Sequence, residues 1–78
     1  MSQQDIEAVV IAVISEVSEI TSDQITKDVD LSKLGVDSLM ALSIIAKAEK
    51  RLKVQIPEQR LRGLKTLRQI VGLFQKAT

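Results

Sequence analysis

The sequence predicts an all-α fold, a helical bundle over residues 1–78 with one long loop ahead of its second helix. Three observations carry that prediction. Apolar residues recur at helical spacing in the first and last segments; Asp37, Pro57, Gly63 and Thr66 stand where helices start and stop; and residues 21–37 between the first two helices keep no period.

The first helix is read from DIEAVVIAVISEVSEI. Ile6, Val9, Val10, Val13, Ile14, Val17 and Ile20 share one face at roughly 100° per residue, while Glu7, Glu16 and Glu19 lie off it. Ser2 or Asp5 is placed to cap it. Many of the apolar residues are β-branched, which lowers helix propensity, so packing must hold this helix. The stretch TSDQITKDVDLSKLGVD that follows reads as an ordered loop pinned by Ile25, Val29, Leu31 and Leu34, with room for one short helical turn.

Gly35 relaxes the backbone and Asp37 is a good N-cap, so a second helix runs from Ser38 to about Lys53. Its apolar residues are in surplus, and the lysines must choose the wet side. With Leu39 set at about 0°, Lys47, Lys50 and Lys53 fall near 80°, 20° and 320°. The core face is then opposite, at Ala41, Ile44, Ile45, Ala48 and Leu52. Leu39 and Ala46 are left outside, with Met40 and Leu42 at the flanks. Pro57 and Gly63 bracket a short third helix at about 58–62. Thr66 caps the last helix with Gln69 as its capping-box partner, and Leu67, Ile70, Val71 and Phe74 form its buried stripe. The expected architecture is a four-helix bundle, three longer helices and one short one, in a single domain.

Composition narrows the chemistry. The 78 residues hold no cysteine and no histidine, which removes disulfides, zinc-thiolate sites, thiol catalysis and the commonest general base. No paired carboxylates have metal-loop spacing, so no metal site and no catalytic residue is expected. Residues 1–40 carry eight acids and two bases, residues 41–78 two acids and nine bases, which leaves a net charge of +1. That balance, with Phe74 the one aromatic, argues against nucleic-acid binding. No stretch approaches the roughly 18 apolar residues of a membrane span, and the polar, acidic start MSQQD does not resemble a signal peptide. A cytoplasmic protein without stable membrane insertion is expected.

Ser38 is the most informative residue. Serines are common in first helical turns as caps, but Asp37 already supplies a capping oxygen. No evident base could activate the hydroxyl, which argues against an autonomous hydrolase. A phosphate ester there would sit at the positive end of a helix among free N–H groups.

LGVDSLMAL, residues 34–42, resembles the attachment motif of the acyl carrier protein family, whose core is Asp-Ser-Leu after a glycine. The resemblance covers nearly the whole chain: an amphipathic first helix, a long loop, DSL opening helix two, Ile-Pro before a short third helix, and a Thr-capped last helix. It implies a four-helix bundle of acyl-carrier type that is not an enzyme. A phosphopantetheinyl transferase would install 4′-phosphopantetheine from coenzyme A on Ser38, and acyl or polyketide intermediates would ride on it as thioesters. Asp37 resembles the residue that helps the transferase recognise its target. Leu39, Leu42 and Ala46 fall where carriers present apolar contacts to partners, and Met40, Ser43, Lys47 and Lys50 complete the expected partner surface. An acyl pocket is expected between helices two and three at Ala41, Ile45, Ala48 and Leu64. Partners would be the transferase, an acyl-loading enzyme and synthase or ketosynthase-type enzymes, met by a monomeric carrier.

One departure stands out. Fatty-acid carriers usually line helix two with acids, whereas here Glu49 is outnumbered by Lys47, Lys50, Arg51 and Lys53. The motif is closer to carriers of polyketide or other specialised pathways. A peptidyl carrier of a nonribosomal synthetase usually has Gly-Gly-His or Gly-Gly-Asp before the serine, which Val36 and Asp37 fit less well. The rival outside the family is an unmodified helical interaction module. Arg60, Arg62, Lys65 and Arg68 form a second basic group, read first as a solvated face. An initial methionine suits a free-standing protein, although a domain cut from a synthase can begin the same way.

Overall fold

Ser2 opens the first helix by a reciprocal cap. Its hydroxyl accepts from the Asp5 N–H at 3.2 Å, and the Asp5 carboxylate accepts from the Ser2 N–H at 3.4 Å. The two residues that competed for that role in the sequence therefore share it. In the computed structural model, which describes residues 2–77, this cap leads α1 (Gln3–Ser18). Ile6, Val10, Val13 and Ile14 are fully buried, and Ile20 closes the same face just past the helix end. Val9 and Val17, expected on that face, sit half-buried at its edges.

The long loop is ordered by two 3₁₀ turns, Ser22–Gln24 and Leu31–Leu34, where the sequence suggested one. Ile25 and Leu31 are buried as anchors, whereas Val29 and Leu34 are half-buried. Val36 is a further buried anchor that its place in the LGVDS motif concealed. Gly35 ends the second turn at φ 95°, a left-handed conformation that costs a residue with a Cβ about 1–2 kcal/mol. Three ties then fasten the loop to the start of the last helix. The Leu31 N–H donates to the Lys65 carbonyl at 2.8 Å, and the Arg68 N–H donates to the Lys27 carbonyl at 3.0 Å. The Arg68 guanidinium forks onto the Asp28 carboxylate at 2.8 and 3.2 Å.

α2 (Ser38–Leu52) buries Ile44, Ile45, Ala48 and Leu52, the face chosen by placing the lysines in water, with Ala41 half-buried beside them. Lys53, expected as its last residue, is instead the left-handed C-cap at φ 58°. The Glu49 carboxylate accepts from the Ile56 N–H at 2.8 Å and so anchors the chain leaving the helix. The short third helix is a 3₁₀ turn, Glu58–Leu61, entered from Pro57. α3 (Leu67–Ala77) starts as expected: the Gln69 N–H donates to the Thr66 hydroxyl at 3.2 Å, and the Gln69 side-chain oxygen accepts from the Thr66 N–H at 3.2 Å. Leu67, Ile70, Val71 and Phe74 bury its stripe.

Among the described residues the architecture is thus all-α, with three α-helices joined by 3₁₀ turns. α1 packs against both α2 and α3 and is the wall on which the other two lean. No helix among the described residues is long and apolar enough to cross a membrane.

Two predictions follow from this packing. Ile44→Ala should lower the unfolding free energy by about 2–5 kcal/mol in urea titrations, whereas Leu39→Ala should stay within about 0.5 kcal/mol. The second concerns Asp28, whose carboxyl is held below the usual carboxylate range first by the hydrogen bond from Arg68 and then by its charge. A lowered folded pKa stabilises above the usual carboxylate range, and that contribution is lost as pH falls through the lowered value. The gap in urea midpoint between wild type and Arg68→Met should be widest at neutral pH and close in acid.

Candidate functional site

The site grows from the junction of the long loop and α2. Buried Val36 fixes the chain just before Asp37, whose backbone is extended at φ −90° and ψ −178°. From there the Asp37 carboxylate accepts from the Met40 N–H at 2.8 Å and caps the helix. Ser38 is therefore spared that task. It is exposed, stands first in α2, and its hydroxyl enters no hydrogen bond among the described residues.

Ser38 lies on the rim of an open cavity of about 540 Å³ between α2, the long loop and the segment before α3. Its walls include Leu31 and Val36 from the loop, Ala41 and Ile45 from α2, and Leu61 and Leu64 from beyond Pro57. Three of the four expected pocket residues, Ala41, Ile45 and Leu64, line this space together. Ala48 does not: it is fully buried in the core, one turn deeper along α2, and needs a correction to the expected pocket. Leu31, Val36 and Leu61 were missed. Leu61 did carry a signal, as the single apolar residue between Pro57 and Gly63.

Two acids border the cavity near Ser38. Asp30 caps the 3₁₀ turn at Leu31–Leu34, accepting from the Ser32 N–H at 2.9 Å and the Ser32 hydroxyl at 2.7 Å. Those hydrogen bonds, the hydroxyl's first, hold its carboxyl below the usual range. The Asp37 carboxylate is engaged by the Met40 N–H. Each acid therefore has a structural task. With no histidine in the chain, a triad-like activation of Ser38 has no partner. No group of acidic side chains among the described residues could hold a metal ion.

Most of the residues expected to meet partners are exposed on the outward face of α2. Leu39 is 76% exposed and Leu42 52%, and Ser43, Ala46, Lys47 and Lys50 are exposed beside them. Met40 departs from that set: it is half-buried and packs against the core, because its position flanks the buried stripe. In the second basic group, Arg68 is committed to Asp28, while Arg60, Arg62 and Lys65 form no ion pair among the described residues.

A small α-helical body that offers an unengaged serine at a helix start, beside an apolar cavity and without catalytic partners, is the form of a carrier domain. The model of the family described as "Phosphopantetheine attachment site" matches residues 8–74, and the chain belongs to that family. Over 48 residues it is 38% identical to an acyl carrier protein homolog of Ureaplasma parvum serovar 3, covering 62% of each chain. Over 76 residues it is 34% identical to the meromycolate extension acyl carrier protein of Mycolicibacterium aurum, covering 96% of this chain and 78% of that protein. Over 54 residues it is 35% identical to mellein synthase of Phaeosphaeria nodorum, covering 69% of this chain and 3% of that enzyme. These relatives are carriers or contain a carrier-like segment, and the group that the family bears is phosphopantetheine.

The division of labour between Asp37 and Ser38 makes a stability prediction. Asp37→Ala should cost about 1 kcal/mol by loss of the cap, whereas Ser38→Ala should stay within about 0.5 kcal/mol, both read from urea or thermal unfolding.

Proposed function

We propose that this chain is a single carrier domain over residues 1–78 that bears 4′-phosphopantetheine on the Ser38 hydroxyl and presents acyl intermediates to partner enzymes. The carrying observation is the exposed Ser38 hydroxyl, relieved of capping by the Asp37–Met40 hydrogen bond and set at the cavity rim. The residues fit the group. A phosphodiester on Ser38 Oγ would lie at the positive end of α2, where a negative charge is worth about 0.3–1 kcal/mol. In its attachment Ser38 Oγ loses a proton and bonds to phosphorus, while adenosine 3′,5′-bisphosphate leaves from coenzyme A. The bound arm supplies a thiol on which acyl groups are held as thioesters.

The chain's own residues divide the remaining work. Asp37 holds the helix start rigid and marks the serine for a phosphopantetheinyl transferase. Ala41, Ile45 and Leu64, with Leu61, offer apolar walls that can shelter cargo, because alanine at position 41 leaves room beside the arm. Leu39, Leu42, Ser43 and Ala46 meet acyl-loading and synthase-type partners. Tethering then raises the effective concentration of cargo at each partner's active site. The 3₁₀ turn Glu58–Leu61 takes the place of the short helix in a four-helix carrier bundle. The Val36–Asp37 motif supports polyketide or specialised acyl cargo, and relatives named for meromycolate extension and mellein synthesis are in keeping with a specialised pathway; in this reading the carrier is a cytoplasmic monomer.

Incubation with coenzyme A and a permissive phosphopantetheinyl transferase should add one phosphopantetheine mass to the intact protein, and Ser38→Ala should abolish the gain. No gain with several transferases would leave an unmodified interaction module instead.

A further inference from the structure

The outward stripe of α2 begins at Leu39 beside Ser38 and runs about 21 Å to Lys53. Leu39 and Leu42 are the large apolar residues left exposed on the described surface. Lys47, Lys50 and Lys53 follow them, all exposed and none in an ion pair among the described residues. Nothing on this helix balances them. Glu49, its one acid, is turned aside to accept from the Ile56 N–H, and Arg51 is taken up by Glu16 of α1. Across a second concavity of about 450 Å³, Arg62 faces Leu42, with Glu58 the acid on that side. Leu42, Leu61 and Arg62 line both this concavity and the cavity beside Ser38. The acidic residues of the chain lie elsewhere, largely on α1 and the long loop.

We infer that the partner enzyme meeting this stripe has the opposite charge, an acidic rim around an apolar socket that takes Leu39 and Leu42. The inference rests on the carrier reading of Ser38 and adds the chemistry of its partner. Apolar residues next to the serine supply contact area, while the lysines one to three turns further on lie at the rim. Rim charges act chiefly on association rate and specificity, and salt weakens them over a Debye length of about 10 Å at 0.1 M. The separation of charge along the chain also orients approach, because an acidic partner is drawn to α2 and repelled by the acids of α1. A protein suits the stripe better than a lipid surface. The face has no aromatic anchor, and its two exposed leucines sit at one end rather than along the whole helix.

The test uses the full chain carrying a pantetheine arm that ends in a thiol-reactive group, with intact mass confirming attachment first. Its crosslinking rate is measured against one ketosynthase whose carrier-docking rim is rich in Lys and Arg, and against the same enzyme with those rim residues changed to Glu. The acidic rim should crosslink about tenfold faster at low ionic strength, and the preference should vanish near 0.5 M NaCl, where the Debye length is about 4 Å. Lys47→Glu with Lys50→Glu should reverse the preference. Equal rates on both rims, or a preference untouched by the double substitution, would overturn the inference while leaving the carrier reading intact. Equal rates with binding to phosphatidylglycerol vesicles would overturn it in favour of a membrane surface. Failure of attachment at the first step would strike the carrier reading itself.

Discussion

Burial of one stripe of α2 against α1 is the constraint on which the rest depends. Ile44, Ile45, Ala48 and Leu52 are nearly inaccessible, and each large aliphatic side chain among them is worth about 1.5–3 kcal/mol in the core. At about 100° per residue, that stripe sets the rotation of the entire helix. Leu39 can then only face water, and the lysines beyond it must line up on the same side. No local preference of a leucine would place it there. Its exposure is the cost of an otherwise favourable packing, and it places a bare leucine beside Ser38.

The same helix must also start at one defined residue. Asp37 secures this through the Met40 N–H, and buried Val36 pins the chain immediately before it. The loop that delivers them is fastened to the head of α3 by the Leu31–Lys65 and Lys27–Arg68 backbone bonds. These links tie the walls of the cavity together, since one side comes from the loop and the other from the segment leading into α3. Rigid caps and loop ties surround a serine that bears no structural load. That arrangement suits a residue whose hydroxyl is reached and modified from outside.

Much of this was legible in the sequence, and the reasons are physical. The capping residues Asp37 and Thr66 could be read because they act within three residues of themselves. The buried face of α2 could be read because lysines reject burial, which resolves an apolar surplus that periodicity alone leaves ambiguous. The features that escaped depend on contacts distant in sequence. Val36 looked like part of a motif and is a core residue, and Ala48 looked like a pocket wall and lies one layer too deep. Arg68 looked like one of a basic group, yet its partner Asp28 lies forty residues away. The turn at Glu58–Leu61 was placed correctly but is 3₁₀ rather than α, a distinction too fine for so short a segment.

The central claim is that Ser38, and no other hydroxyl, carries the arm. Trypsin should release the peptide Leu34–Lys47, which contains two serines, Ser38 exposed at the helix start and Ser43 exposed on the outward stripe. Tandem mass spectrometry of that peptide, from protein treated with coenzyme A and a phosphopantetheinyl transferase, distinguishes them. The account predicts the phosphopantetheine mass on fragments that contain Ser38, with Ser43 unmodified. An unmodified peptide, or the added mass on Ser43, would contradict it.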